Sequence, residues 1–128
     1  MGVQPIINTA SFIIDDYPLP LNKDFVEPII SEFGQDMDNI TFFTEIWQED
    51  MLSLAEKYGY KYTFAIPFNY TNIIEEPWLF DSWFATKDEN QNSIGPQIGR
   101  KLLSLGNELA LHGYNHVSLT TTPIFAGA

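Results

Sequence analysis

Apolar positions along the chain follow two rhythms that alternate. Residues 10–14, Ala-Ser-Phe-Ile-Ile, form a short unbroken apolar run, the pattern of a strand buried on both faces. The run ends at Asp15-Asp16. Tyr17-Pro18-Leu19-Pro20 then imposes an irregular connection, because each proline biases its predecessor away from helix. Residues 24–33 read as a short helix interrupted at Pro28. From 41 to 58 the rhythm changes. Phe43, Ile46, Trp47, Met51, Leu54, Ala55 and Tyr58 recur at threes and fours, which predicts an amphipathic helix. Gly59 supplies its stop. Residues 60–66, Tyr-Lys-Tyr-Thr-Phe-Ala-Ile, are rich in aromatic and β-branched types and predict a second strand that Pro67 ends.

The stretch 68–95 reads as a long loop with one short helix around 78–85. Long loops inside compact domains are often functional. Residues 96–105 predict a helix entered through Pro96 and closed by Gly106. Residues 107–111, Asn-Glu-Leu-Ala-Leu, predict a third strand running into His112. Strand and helix alternate throughout, so the expected class is α/β, a parallel sheet with helices packed outside it. Ligands in such sheets gather at the C-terminal ends of the strands. Those ends carry Asp15-Asp16, Pro67-Phe68-Asn69 and His112 to His116.

The 128 residues suit one domain, or part of one, over 1–128. Six basic residues stand against 17 acidic ones, a net charge of −11. Such a surface disfavours nucleic acid and anionic membranes as partners and is compatible with cations and with neutral or basic substrates. No apolar run approaches the roughly 20 residues of a membrane span, so no membrane insertion is expected. The chain contains no cysteine, so any metal must be held by nitrogen and oxygen.

Only two histidines are present, His112 and His116, four apart in the phrase Glu-Leu-Ala-Leu-His-Gly-Tyr-Asn-His. Gly113 and Asn115 make this stretch a loop rather than a helix. With Asp16 the pair forms a two-histidine, one-carboxylate set. Such a set leaves coordination positions open for water and substrate. Strand alternation directs Asp15 to the other side, leaving it available as a general base. Tyr17, Asn69, Trp83 and Tyr114 are the candidate substrate-binding residues.

Three phrases together resemble the polysaccharide deacetylase family, the NodB-homology carbohydrate esterases. Phe-Ile-Ile-Asp-Asp-Tyr-Pro is similar to that family's first motif, Thr-Phe-Asp-Asp-Gly. Gly-Asn-Glu-Leu-Ala-Leu-His-Gly-Tyr-Asn-His is similar to its second. Lys-Tyr-Gly-Tyr-Lys-Tyr-Thr-Phe-Ala-Ile, lying between them, resembles its helix end and second strand. Tyr17 and Gly113 depart from the family pattern. The resemblance implies a distorted (β/α) barrel, with Asp15 as catalytic base and Asp16, His112 and His116 as ligands of zinc or another divalent metal. It implies hydrolysis of N- or O-acetyl groups on carbohydrate, and an extracellular or cell-envelope setting.

The family's later motifs, including the histidine that supplies its general acid, have no counterpart among these residues. If both histidines hold metal, none remains to protonate a leaving group. The chain is therefore expected to be the first half of a barrel, inactive or weak by itself. The remainder of a longer polypeptide, or self-association, would cover the open side. The competing expectation is a non-catalytic carbohydrate-binding or interaction domain that uses Trp78, Trp83, Tyr70 and Phe84 as stacking surfaces.

Overall fold

Three short parallel strands set the frame: β1 (Phe12–Asp15), β2 (Tyr62–Ile66) and β3 (Glu108–Leu111), in the spatial order β1-β2-β3. The computed structural model describes residues 10–18, 21, 23–67, 69 and 81–113. Between the strands lie α1 (Ile29–Phe33), α2 (Asn39–Thr41), a π-helical segment (Phe42–Trp47), α3 (Gln48–Tyr58), α4 (Asp81–Phe84) and α5 (Ile94–Ser104). The expected α/β class with parallel strands is what the chain forms. Among the described residues the sheet is open at both edges rather than closed into a barrel. None of the described helices is long and apolar enough to cross a membrane.

Register explains which side chains reach the core. Ile14 pairs with Phe64 and Phe64 with Leu109, and this row faces the helices. Tyr62 and Ile66 of β2 share that face and are buried with Ala55, Ile98 and Leu102. The neighbouring row, Ile13–Thr63–Glu108, faces away, and Thr63 Oγ1 donates to Glu108 Oε2 at 2.9 Å. The unbroken apolar run at 10–14 therefore does not mark a strand buried on both faces: Phe12 and Ile13 are exposed, Ile13 at 60%. β1 is an edge strand with a single hydrogen-bonded neighbour, and one of its faces is left open. Phe64 and Leu102 are the best-enclosed core residues. Truncating either to alanine would cost about 2–5 kcal/mol through lost transfer energy and an unfilled cavity.

The helices begin and end for local reasons. α1 starts after Pro28 instead of running through it, because a proline inside the helix would remove a backbone donor. Asp38 caps the start of α2, its carboxylate accepting from the Thr41 N–H at 2.7 Å. From there the backbone stays helical to Tyr58, extending the predicted 41–58 helix by two residues. The six-residue π segment within it was not predicted. Its wider turn lets Phe43, Trp47, Met51 and Ala55, each four apart, stay on the core side. Leu54 and Tyr58, assigned to the same stripe from spacing, are exposed. Gly59 ends α3 with φ 72°, the left-handed stop expected there.

α5 begins at Ile94, two residues before Pro96. The proline sits in the first turn, where its missing N–H is not required. Gly95 and Gly99, one turn apart on this helix, form a notch for Trp83. A β-carbon on Gly95 would overlap the Trp83 carbonyl and stand 2.9 Å from its Cδ2, and one on Gly99 would stand 3.4 Å from its Cζ2. After α5, Asn107 joins three elements. Its Oδ1 accepts from the Tyr62 N–H at 3.0 Å at the start of β2, and its Nδ2 donates to the Leu102 carbonyl at 3.2 Å.

Candidate functional site

The two outer strands deliver their polar ends to one place because β2 holds both. The Asp16 N–H donates to the Ala65 carbonyl at 3.0 Å, and the His112 N–H donates to the Ile66 carbonyl at 3.0 Å. Consecutive carbonyls of the central strand thus anchor the first residue beyond β1 and the first residue beyond β3. The parallel arrangement puts both at the C-terminal edge of the sheet, where the α/β pattern places ligands.

Asp16 leaves the strand with φ 63°, a left-handed conformation that Asp tolerates better than most residues. This breaks the alternation expected to send Asp15 and Asp16 to opposite sides. Both carboxylates face the same imidazole. Asp16 Oδ1 lies 3.4 Å from His112 Nε2, and Asp15 Oδ1 lies 4.0 Å from His112 Nδ1. One carboxylate therefore addresses each ring nitrogen. Asp15 is exposed, whereas Asp16 and His112 are half-buried.

Beside this cluster lies a cleft of about 170 Å³ lined by Ile14, Asp15, Asp16, Tyr17, Pro18, Phe43 and Trp47. The Tyr17 ring packs 4.8 Å from Trp47 and 5.6 Å from Phe64, centroid to centroid. Its hydroxyl turns inward and donates to Gln48 Oε1 at 2.7 Å, with the Phe43 carbonyl at 3.2 Å. Burial, reinforced by the Glu49 carboxylate, raises the Tyr17 phenol well above its ordinary pKa and keeps it a donor. Tyr17 thus contributes a wall of the cleft rather than a polar group directed at a substrate.

The remaining candidates divide. Asn69 is buried. Trp83 is only 7% exposed and packs on the Gly95–Gly99 notch, so it offers no stacking surface. The expectation that it would stack on a carbohydrate is corrected on that ground. Phe84 is exposed. Tyr70, Trp78, Tyr114 and the second histidine, His116, lie outside the described residues. Among the described residues no three His, Cys, Asp or Glu side chains converge as a set of metal ligands. Phe43 and Trp47, which line the cleft, were legible only as members of a core-facing stripe. Their place beside Asp15 depends on how the helix crosses the sheet.

Fold and cluster together define a small α/β protein with a carboxylate–histidine group at the C-terminal edge of an open parallel sheet. The chain belongs to the bacterial family described as "Uncharacterised protein conserved in bacteria (DUF2194)", whose model matches residues 1–124. That match overturns the resemblance to polysaccharide deacetylases, because it is this family, and not the deacetylases, that accounts for the chain from 1 to 124. The resemblance rested on an Asp-Asp doublet, a histidine pair and one strand, short patterns that the ends of parallel strands can share across unrelated families. No curated protein and no solved structure matches the chain.

Proposed function

We propose that Asp16 and His112 hold a divalent metal ion, zinc in the first instance, and that the site hydrolyses an acyl group. The observation that carries this reading is the 3.4 Å between Asp16 Oδ1 and His112 Nε2. It is longer than the usual 2.7–3.2 Å hydrogen bond. It matches two ligands sharing one tetrahedral ion, since bonds of about 2.0–2.1 Å at the tetrahedral angle separate the donor atoms by about 3.4 Å. Oxygen and imidazole nitrogen are both suitable zinc donors. His116 is the third ligand in this reading.

The bound ion would supply Lewis acidity, polarising a carbonyl and lowering the pKa of water. Asp15 has two roles open to it. Facing Nδ1, it can fix the ring so that Nε2 presents its lone pair, as carboxylates commonly do behind metal-bound histidines. The base role given to it on sequence grounds would need the same carboxylate to swing from Nδ1 to the water side of the ion, so the two roles exclude each other in any one arrangement. The aromatic and aliphatic wall of the adjoining cleft (Ile14, Phe43, Trp47) suits a small uncharged acyl group. With a net charge of −11, neutral substrates are favoured over anionic ones. N- or O-acetyl groups on carbohydrate are the substrate class we propose. The same reading takes the open sheet as part of a (β/α) barrel that further strands complete.

The test is acetate release from an N-acetylated oligosaccharide and from an activated acetyl ester. Slow release that a chelator abolishes and zinc restores is the expected result. Zinc-loaded protein that releases no acetate above the buffer rate, or release that Asp16→Ala leaves intact, contradicts it.

A further inference from the structure

A second, larger cleft lies apart from the strand ends. It encloses about 390 Å³ and is lined by Val26, Glu27, Pro28, Ile29, Glu32, Phe33, Asn39, Phe42 and Phe43. Its volume falls within the range of small-molecule sites. Three phenylalanine rings meet there. Phe33 and Phe42 stand 4.9 Å apart at 57°, and Phe42 and Phe43 stand 5.2 Å apart at 72°. All three rings line the cleft, tilted against one another. Phe33 and Val26 remain exposed, as does neighbouring Phe25 at 57%, so the apolar surface is not consumed by the core.

The charged groups at this cleft are all of one sign. Among the described residues Glu27 and Glu32 line it, both exposed, and no lysine or arginine does. An anionic ligand would meet repulsion there, and a neutral apolar one would leave the carboxylates unused. A cation with an apolar body satisfies both features: the ring faces attract positive charge through their quadrupoles, and the two carboxylates reinforce that attraction.

We propose that this cleft is a binding site for an organic cation, an alkyl- or arylalkylammonium, with its apolar body against Phe33 and Phe42 and its ammonium toward Glu27 and Glu32. The site is independent of the strand-end cluster and shares only the Phe43 ring with the smaller cleft.

Titration calorimetry with three probes of one shape tests it: 2-phenylethylammonium, 2-phenylethanol and phenylacetate. Saturable binding of the ammonium is expected, with the alcohol at least about ten-fold weaker and the anion not bound. Glu27→Gln combined with Glu32→Gln should weaken the ammonium about ten-fold or more. Both positions are exposed, so the fold is expected to survive, and circular dichroism checks it. Glu56→Gln combined with Glu89→Gln removes the same charge elsewhere and should leave binding unchanged. Absence of saturable ammonium binding, equal binding of the alcohol, or equal loss in the two double variants would overturn the proposal.

Discussion

Asp16 and His112 come from opposite edges of the sheet, yet Asp16 Oδ1 and His112 Nε2 stand 3.4 Å apart. The backbone makes this so. Each residue is tied by its N–H to one of two consecutive carbonyls of β2, those of Ala65 and Ile66. The geometry is a consequence of parallel pairing in register, with a left-handed residue at Asp16 to redirect its side chain.

The two carboxylates are predicted to behave differently. In the proposed site Asp16 is a ligand and Asp15 stands behind the ring. Asp15→Asn should keep the metal but weaken it about 10–100-fold, the usual effect of losing a carboxylate that orients a metal-bound histidine. Asp16→Asn should weaken it more. Competition against a calibrated zinc chelator measures both. Equal losses would mean that the two residues do not divide the roles.

Gly95 is predicted to be intolerant of a methyl group. Its added Cβ would meet the Trp83 backbone carbonyl, which moves only if α4 moves away from α5. Gly95→Ala should destabilise by about 1–3 kcal/mol despite alanine's better helix propensity. Urea denaturation checks it, and a neutral or stabilising result would show that Trp83 does not occupy the notch.

Asn107 is predicted to matter more than its polar character suggests. Asn107→Ala leaves the buried Tyr62 N–H without its acceptor and removes the Nδ2 bond to the Leu102 carbonyl, which keeps its backbone donors. A loss of about 1–3 kcal/mol is expected. Asn107→Asp keeps the Oδ1 acceptor and should recover part of it. The comparison is read from denaturant midpoints.

Alkaline pH should destabilise the protein through its buried phenols. Burial, helped by the Tyr60 hydroxyl 3.0 Å away, pushes Tyr62 up to about 12, and Tyr17 is raised as well. Below pH of about 10 both folded and unfolded phenols are protonated and the contribution to stability is whole. Between about 10 and about 12 the unfolded chain releases protons that the folded chain retains, so stability falls by up to about 1.4 kcal/mol per pH unit for each phenol. Tyr62→Phe should flatten this slope while losing about 1 kcal/mol of hydrogen bonding at neutral pH. Denaturation curves from pH 8 to 12 test the sign, and a slope unchanged by Tyr62→Phe would refute the assignment.

Much of the fold was legible because its signals are local. Gly59 and Gly106 stop helices by conformation, Pro67 ends β2, and aromatic and β-branched residues mark β2 itself. What was not legible depends on partners distant in sequence. The burial of Trp83 depends on a notch that Gly95 and Gly99 provide. The exposure of Ile13 depends on β1 lying at an edge. Leu54 and Tyr58 share the helix face of Met51 and Ala55 by spacing, yet they are exposed, because burial depends on where the sheet beneath the helix ends. At the candidate site, Asp15, Asp16 and His112 were found because parallel strands expose their C-terminal ends. The left-handed turn at Asp16 was not foreseen, because nothing in Asp-Asp distinguishes it from a strand that simply continues.

The most direct measurement is zinc bound to the purified chain after metal removal and reloading, read by mass spectrometry of the metal and by calorimetry. The account predicts about one zinc per chain, lost in Asp16→Ala and in His112→Ala while circular dichroism stays unchanged. A chain that takes up no stoichiometric zinc or other divalent ion, or variants that bind it as tightly as the parent, would contradict the shared-ion reading of Asp16 and His112.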